Sequence, residues 1–273
     1  METNAGNCFL YLLSRRNTKT IIKGGTRRIR KKTEKNIMQN KRYFKIHELI
    51  LWIGSLIAVT VAFFFGAEKN YLSLVASLVG VTALVFNAKG NPAGPALMIV
   101  FGICYGIISW GFRYYGEMLT YLGMSVPMAV LSLISWLKNP FGGKKSEVKI
   151  NALSAKEYPF AFLLTSVITV IFYFVLKAFN TANLWWSTVS VATSFIAVYF
   201  SFRRSPFFAL AYAFNDVVLI ILWVLASLKN SAYISVVACF CVFLINDLYT
   251  FISWQKLKKM QKLASEIEDN PAD

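Results

Sequence analysis

The chain has 273 residues, of which 56% are apolar and only 15% are charged, and its formal net charge is +16. This composition predicts an integral membrane protein and excludes a soluble globular domain. The charged residues are concentrated outside the apolar runs. We therefore interpret the positive charge as a signal of orientation among membrane lipids, and we expect no nucleic-acid partner.

Residues 1–48 form a basic segment, with ten Lys or Arg between Arg15 and Lys35 and little sign of an apolar face. We predict a cytoplasmic tail that the activity does not need. The alternative is an amphipathic arm that binds anionic lipid. Met38 begins a shorter tail of the kind that often precedes a first membrane span, so a translation start at Met38 remains open beside Met1.

Apolar runs of about 20 residues, the length that a membrane helix needs, recur from Leu49 onward with short breaks between them. Pro127 is expected to kink the fourth run rather than end it. We predict an all-α integral membrane protein with eight transmembrane helices, at residues 49–66, 71–88, 96–113, 117–137, 159–177, 185–202, 207–228 and 232–254.

Lys and Arg are unevenly shared among the segments that connect these helices. They are abundant in the first tail, the turn at 88–91, the loop at 138–158, the pair Arg203 and Arg204, and the last tail at 255–273, and they are sparse in the alternate connections. Cytoplasmic segments hold the excess of Lys and Arg. We therefore predict a multi-pass protein of the plasma membrane with both termini in the cytoplasm.

Short stretches of the two halves resemble each other. The segment from Ser73 to Gly90 resembles the segment from Ser187 to Arg204, and residues 133–138 resemble residues 251–256. Parallel repeats of this kind are a transporter architecture that holds the substrate near the midplane, between the halves. The predicted units are an extra helix at 49–66, a first three-helix bundle at 71–137, a linker helix at 159–177 and a second bundle at 185–254.

Polar side chains interrupt the last two apolar runs in two groups: Tyr212, Asn215 and Asp216, then Asn246, Asp247 and Tyr249. Residues three or four apart share a helix face. An ionisable group at this depth costs roughly 2.5–3.5 kcal/mol and is a candidate functional residue. We predict that both groups bind a small polar solute. A role confined to helix packing is the alternative, and a proton relay also remains open.

Five further residues are candidates for the same binding site: Tyr105, Trp110, Ser187, Ser190 and Thr193. The two aromatic residues lie on the third apolar run, where stacking on a ligand and an ordinary lipid-facing position are equally good interpretations. The three hydroxyl residues belong to the sixth run, where small and hydroxyl side chains most often mark close helix packing.

Enzymatic and metal-binding patterns are missing from the sequence. It contains no P-loop, no GxSxG, no HExxH and no dinucleotide fingerprint, so we predict no catalytic residues and no cofactor. The single histidine, His47, and four cysteines without zinc-type spacing predict no metal site.

A longer combination of residues resembles the PnuC family of vitamin transporters. It comprises Asn180 and Asn183, then Ser187, Ser190, Arg203, Arg204, Tyr212, Asn215, Asp216 and Trp223, and finally Asn246, Asp247, Tyr249 and Trp254, with a weaker counterpart at Tyr105, Glu117, Pro127 and Trp136. The resemblance covers about residues 49 to 260. Where family members commonly carry Trp-x-x-Trp, this chain has Ala209-x-x-Tyr212, and Thr250 replaces a common Gly.

The resemblance implies two three-helix bundles joined by one helix, similar to the SWEET proteins. It also implies facilitated diffusion of nicotinamide riboside, which a cytoplasmic riboside kinase then traps by phosphorylation for NAD synthesis, and it implies a homotrimer. The pyridinium ring would lie on an aromatic face, with Asp216 or Asp247 balancing its charge. Thiamine or riboflavin remains the alternative solute, and a non-transporting membrane scaffold is the alternative class.

Overall fold

Residues 43–65, 70–111, 115–181, 183–228 and 234–269 are described by the computed structural model. The predicted basic tail lies outside the described residues as far as residue 42. The described chain falls into two units: residues 46–261 form the first, and residues 43–45 and 262–269 belong to the second.

Among the described residues, eight helices are long and apolar enough to cross a membrane, which confirms the predicted all-α membrane fold. The fourth of these spans is composite, Tyr115–Lys138. The helices are α1 (Ile46–Phe65), α2 (Tyr71–Ala88), α3 (Ala93–Gly111), α4 (Tyr115–Leu119) with α5 (Val126–Lys138), α6 (Glu157–Ala178), α7 (Leu184–Phe202), α8 (Phe207–Ser227) and α9 (Ile234–Asp269).

The fourth span contains a wide turn that the sequence analysis did not predict. A π-helix, Thr120–Ser125, separates α4 from α5, and the backbone N–H of Val126 donates to the carbonyl of Tyr121. Pro127 then stands in the first turn of α5, where its missing N–H is tolerated. The irregular backbone therefore precedes the proline and turns the side chains of the π-helix relative to those of α5.

The basic loop between α5 and α6 has structure of its own. Two short antiparallel strands, β1 (Pro140–Phe141) and β2 (Lys144–Val148), are joined by Gly142 and Gly143. Both glycines have positive φ, 53° and 73°. A two-residue hairpin turn of this kind needs residues that adopt positive φ without strain, which explains the glycine pair.

The helices α2 and α7 end in the same way. Gly90 and Arg204, which are equivalent in the predicted repeat, both adopt a left-handed backbone, with φ of 64° and 58°. Their N–H groups donate to the carbonyls of Asn87 and Ser201, respectively. Both helices therefore end in the left-handed cap that satisfies the last free carbonyls of a helix.

Residues of α5 and α9 bind the ends of α7 and α2 in matching ways. On α5, Ser135 Oγ donates to the carbonyl of Phe202 at 2.7 Å, and the neighbouring Trp136 Nε1 donates to that of Ser201 at 2.9 Å. On α9, Ser253 Oγ and Trp254 Nε1 donate to the carbonyls of Ala88 and Asn87 at 2.8 and 2.7 Å. The two indoles are fully buried, with ring centroids 5.2 Å apart. The equivalent residues of the repeat therefore make equivalent bonds across the junction of the halves.

The hairpin loop crosses both of these helix ends. The N–H of Val148 donates to the carbonyl of Gly90 at 2.9 Å, and the N–H of Asn151 donates to that of Arg204 at 3.0 Å. Gln261 of α9 holds the loop, because its Oε1 accepts from the N–H of Ile150 and its Nε2 donates to the carbonyl of Val148. The basic connections therefore lie together at one end of the bundle, which we call the basic end.

Candidate functional site

A cavity of about 60 Å³ lies inside the helix bundle. That volume accommodates several water molecules. We call it the central cavity; its walls come from α2, α3, α5, the π-helix, α7, α8 and α9. The polar groups that line it are contributed by Tyr121, Ser125, Ser194, Tyr212, Asn215, Asp216 and Asp247. Both halves of the predicted repeat therefore contribute to one polar space.

Two neighbouring carboxyl groups dominate this cavity. Asp216 of α8 and Asp247 of α9 are only 3% and 2% exposed, and their side chains interact with each other. Within the described chain, Asp216 Oδ2 and Asp247 Oδ1 have no hydrogen-bond partner. Unpaired acceptors at this depth are costly, and a ligand that supplies hydrogen-bond donors or positive charge would satisfy them.

The amide of Asn215 is held in place from the neighbouring helix. Its Oδ1 accepts hydrogen bonds from Thr193 Oγ1 at 2.8 Å and from Ser194 Oγ at 2.9 Å, both on α7. With the oxygen occupied, the Nδ2 donors remain for a ligand in the cavity. The predicted residue Thr193 therefore positions Asn215 rather than lining the cavity itself.

Aromatic rings form much of the remaining wall. Tyr212, which the sequence analysis placed in the site, lines the central cavity together with Tyr121, Phe101 and Phe243. Tyr121 was not among the predicted residues. Tyr121 and Ser125 are four residues apart, so their shared helix face could have been noticed in the sequence. The π-helix that orients them could not have been predicted from the sequence.

The structure places Asn246 and Tyr249 away from the central cavity. Asn246 Nδ2 donates to Ser55 Oγ of α1 at 2.9 Å, and Tyr249 OH donates to Glu48 Oε1 of the same helix at 2.9 Å. Adjacent helix positions are about 100° apart, so Asp247 faces the cavity while its neighbour Asn246 faces α1. Both side chains make contacts between helices, as expected if these polar residues serve helix packing.

These bonds belong to a polar seam between α1 and the rest of the bundle. Glu48 also forms an ion pair with Lys89 in the turn between α2 and α3. Farther along α1, Trp52 Nε1 donates to Thr82 Oγ1 of α2 at 3.3 Å. The helix α1 is therefore fixed to both α2 and α9 by specific polar contacts.

The other predicted residues lie outside the central cavity. Trp110 is 62% exposed at the end of α3 and packs against Tyr115, with ring centroids 5.7 Å apart. Ser190 Oγ donates to the carbonyl of Ser187 at 2.9 Å, and both residues are buried within α7 packing. Tyr105 lines a different cavity, described below. The structure thus brings Tyr212, Asn215, Asp216 and Asp247 together at one cavity. Thr193 lies behind Asn215 and bonds to it, and the other predicted residues lie elsewhere.

The described lining of the central cavity carries no positively charged side chain. No Lys or Arg is among the described residues that line it. Clusters of three or more His, Cys, Asp or Glu that would hold a metal ion are also absent from the described part of the chain. The chemistry of this site is that of acidic, amide, hydroxyl and aromatic groups.

Comparisons with known proteins agree with this architecture. The family model described as nicotinamide mononucleotide transporter matches residues 70–256. Two curated proteins named nicotinamide riboside transporter PnuC are similar to the chain. The one from Neisseria mucosa is 26% identical over 78% of this chain and 82% of its own length, and the one from Haemophilus influenzae is 21% identical over 77% and 90%.

The fold is shared with a solved structure. A crystal structure of the vitamin B3 transporter PnuC superposes with a TM-score of 0.70 at 24% identity, covering 80% of this chain and 94% of that one. At this identity the likeness concerns the fold. Since the family model spans more than half of the sequence and the fold agrees, this chain belongs to the PnuC family of membrane transporters and is not an enzyme.

Proposed function

We propose that the chain carries nicotinamide riboside across the plasma membrane by facilitated diffusion. The names of the curated relatives support this solute. The observation that carries the proposal is the pair of buried carboxyl groups, Asp216 and Asp247, which face a cavity between the halves. The positively charged pyridinium ring of a riboside supplies the opposite charge that would stabilise these two carboxylates.

The remaining groups suit the rest of the same solute. Asn215, Ser125 and Ser194 line the cavity, and their amide and hydroxyl groups match the ribose hydroxyls and the carboxamide. Tyr212 and Tyr121 offer aromatic faces, to which a ring with fixed positive charge is attracted. Each of these side chains therefore complements one part of the riboside chemically.

The charge of the cavity favours the riboside over its phosphorylated form. The matching family model is described by the mononucleotide, but a phosphate at neutral pH carries nearly two negative charges. It would face two carboxyl groups, and no Lys or Arg among the described lining residues would pair with it. We therefore assign the unphosphorylated, cationic species as the solute.

Thiamine is the second candidate, because its thiazolium ring also carries a fixed positive charge. Riboflavin has an uncharged ring system and gains nothing electrostatically from Asp216 and Asp247. A titration of the purified protein with nicotinamide riboside, its mononucleotide, thiamine and riboflavin ranks these solutes. Tightest binding of riboflavin or of the mononucleotide would refute the electrostatic argument.

The role of ring charge is tested with the reduced, dihydro form of the riboside, which keeps the size of the ligand but loses the positive charge. We expect it to bind at least about tenfold more weakly, the effect of roughly 1.4 kcal/mol of lost attraction. Asp216→Asn should remove most of this discrimination. Glu117→Gln is the matched control, because Glu117 is a buried carboxyl group, on α4, that does not line the central cavity.

Facilitated diffusion requires no energy source in the chain, and phosphorylation by a cytoplasmic riboside kinase would trap the solute for NAD synthesis. We further propose that the basic end faces the cytoplasm, with both termini on that side, and that the protein assembles as a homotrimer. Proteoliposomes should take up labelled riboside saturably without ATP. If an imposed proton gradient accelerates riboside uptake, the transport is coupled to protons and the proposal of uniport is wrong.

A further inference from the structure

A second cavity lies at the end of the bundle opposite the basic end. It is lined by Ser109 near the end of α3, Trp223 near the end of α8 and Ser235 at the start of α9. Its volume, about 60 Å³, equals that of the central cavity. We call it the outer cavity. Val59 and Phe63 of the extra helix α1 form part of its wall.

Only one layer of aromatic rings separates the two cavities. Phe101 and Phe240 line both of them. Tyr105 lines the outer cavity and Tyr121 lines the central one, and their ring centroids are 4.4 Å apart. We call these four residues the aromatic partition. The two cavities therefore share a wall of aromatic side chains.

The outer cavity has the polar and aromatic groups of a ligand site but no charged group in its described lining. Four serines line it: Ser73, Ser77, Ser109 and Ser235. Tyr105 lies edge-on to Trp223, with ring centroids 6.5 Å apart. Pockets of this kind bind a small molecule through hydroxyl hydrogen bonds and contact with aromatic rings.

We propose that the outer cavity is a second binding site for the transported solute, where it rests before it crosses the aromatic partition to the central cavity. This inference depends on the proposed function. The ligand class is a ring cation that bears hydroxyl groups. Its hydroxyls bond to the serines and its ring lies against Tyr105, while the full electrostatic stabilisation comes only at Asp216 and Asp247, so the outer site is the weaker one.

Cysteine protection distinguishes the two sites. In a background with all four native cysteines replaced by Ser, Ser73→Cys places a thiol in the outer cavity and Ser125→Cys places one in the central cavity. A small methanethiosulfonate reagent modifies each thiol, and nicotinamide riboside is the competing ligand. At a riboside concentration ten times the dissociation constant of a site, modification at that site should slow about elevenfold.

Adding Asp216→Asn to each variant shows whether Ser73→Cys is protected by riboside bound in the outer cavity or by a conformational effect of riboside bound in the central cavity. In this background we expect the riboside to lose most of its protection of Ser125→Cys and to keep its protection of Ser73→Cys. The outer site is overturned if Asp216→Asn abolishes protection of Ser73→Cys as well. It is also overturned if the riboside protects Ser125→Cys but never protects Ser73→Cys. Absence of protection at both positions, with no saturable uptake by the wild-type protein, overturns the proposed function as well.

A second measurement uses the width of the outer cavity. Ser77→Leu fills it from α2, and Ser77→Ala, which removes the hydroxyl without adding volume, is its matched control. We expect Ser77→Leu to slow riboside uptake by at least tenfold while equilibrium binding at the central cavity changes less than twofold. Uptake by Ser77→Leu at the rate of the Ala variant would contradict a path through this cavity.

Discussion

The two hydroxyls that hold Asn215 allow a graded test of the central cavity. Thr193→Val and Ser194→Ala each remove one hydrogen bond to Asn215 Oδ1, of 2.8 and 2.9 Å, respectively. Hydrogen bonds between membrane helices are worth about 0.6 kcal/mol on average. If the amide must be ordered to bind the solute, each single variant should raise the dissociation constant about threefold, and the double variant, at about 1.2 kcal/mol, about eightfold.

The assay is isothermal titration of the purified variants with nicotinamide riboside, together with a thermal melting curve for each protein. Thr188→Val is the matched control, because Thr188 is a buried threonine on the same helix whose hydroxyl donates only to its own helix, at the carbonyl of Leu184, 2.8 Å away. Thr188→Val should bind as the wild type does.

A double-mutant cycle separates positioning from general packing. In an Asn215→Ala background the amide is gone, so Thr193→Val should cause no further loss of affinity. Wild-type affinity in the Thr193→Val, Ser194→Ala double variant would show that Asn215 is not held by these hydroxyls in the binding state. An additive loss in the Asn215→Ala background would assign the effect of Thr193 to helix packing.

Three stability predictions follow from the fold. Trp136→Phe and Trp254→Phe each remove one indole hydrogen bond, so both should lower the free energy of unfolding by about 0.6–1.7 kcal/mol and by equal amounts in melting experiments; a large difference would contradict their equivalence. Gly94→Ala should reduce the melting temperature because its Cβ would lie 2.7 Å from a backbone nitrogen of α2, while Gly54→Ala, with no atom within 4 Å, should not. Gln261→Ala should accelerate hydrogen exchange in β2 and the segment after it without changing exchange in α2; unchanged exchange in β2 would show that another contact holds the loop.

The membrane fold was predictable because length and apolar composition alone identify a membrane span. The same reasoning could not find the end of α9. The apolar run, and with it the predicted helix, ends at Trp254, but good helix formers such as Lys256 and Leu257 continue the helix to Asp269. It also missed the hairpin in the basic loop, where the Gly142 and Gly143 pair was the available signal.

The candidate site was predictable where the spacing along one helix determines the face. Tyr212, Asn215 and Asp216 are three and four apart, and the structure brings them to one cavity. On α9 the sequence offered no way to decide which polar residue faces which neighbour. The decision depends on α1, whose Glu48 and Ser55 bind Tyr249 and Asn246, respectively, and these pairs are about 200 residues apart in sequence.

The reciprocal bonds of Trp136 and Trp254 bear on how the chain arose. A twofold axis generates every contact twice, so one Ser-Trp pair in a half-length ancestor would have formed both bonds in an isologous homodimer. Gene duplication and fusion would then preserve the two copies within a single polypeptide. The end of α2 is bonded from α9 and the end of α7 is bonded from α5, so a chain divided within residues 138–158 is expected to fold only when both fragments are produced together.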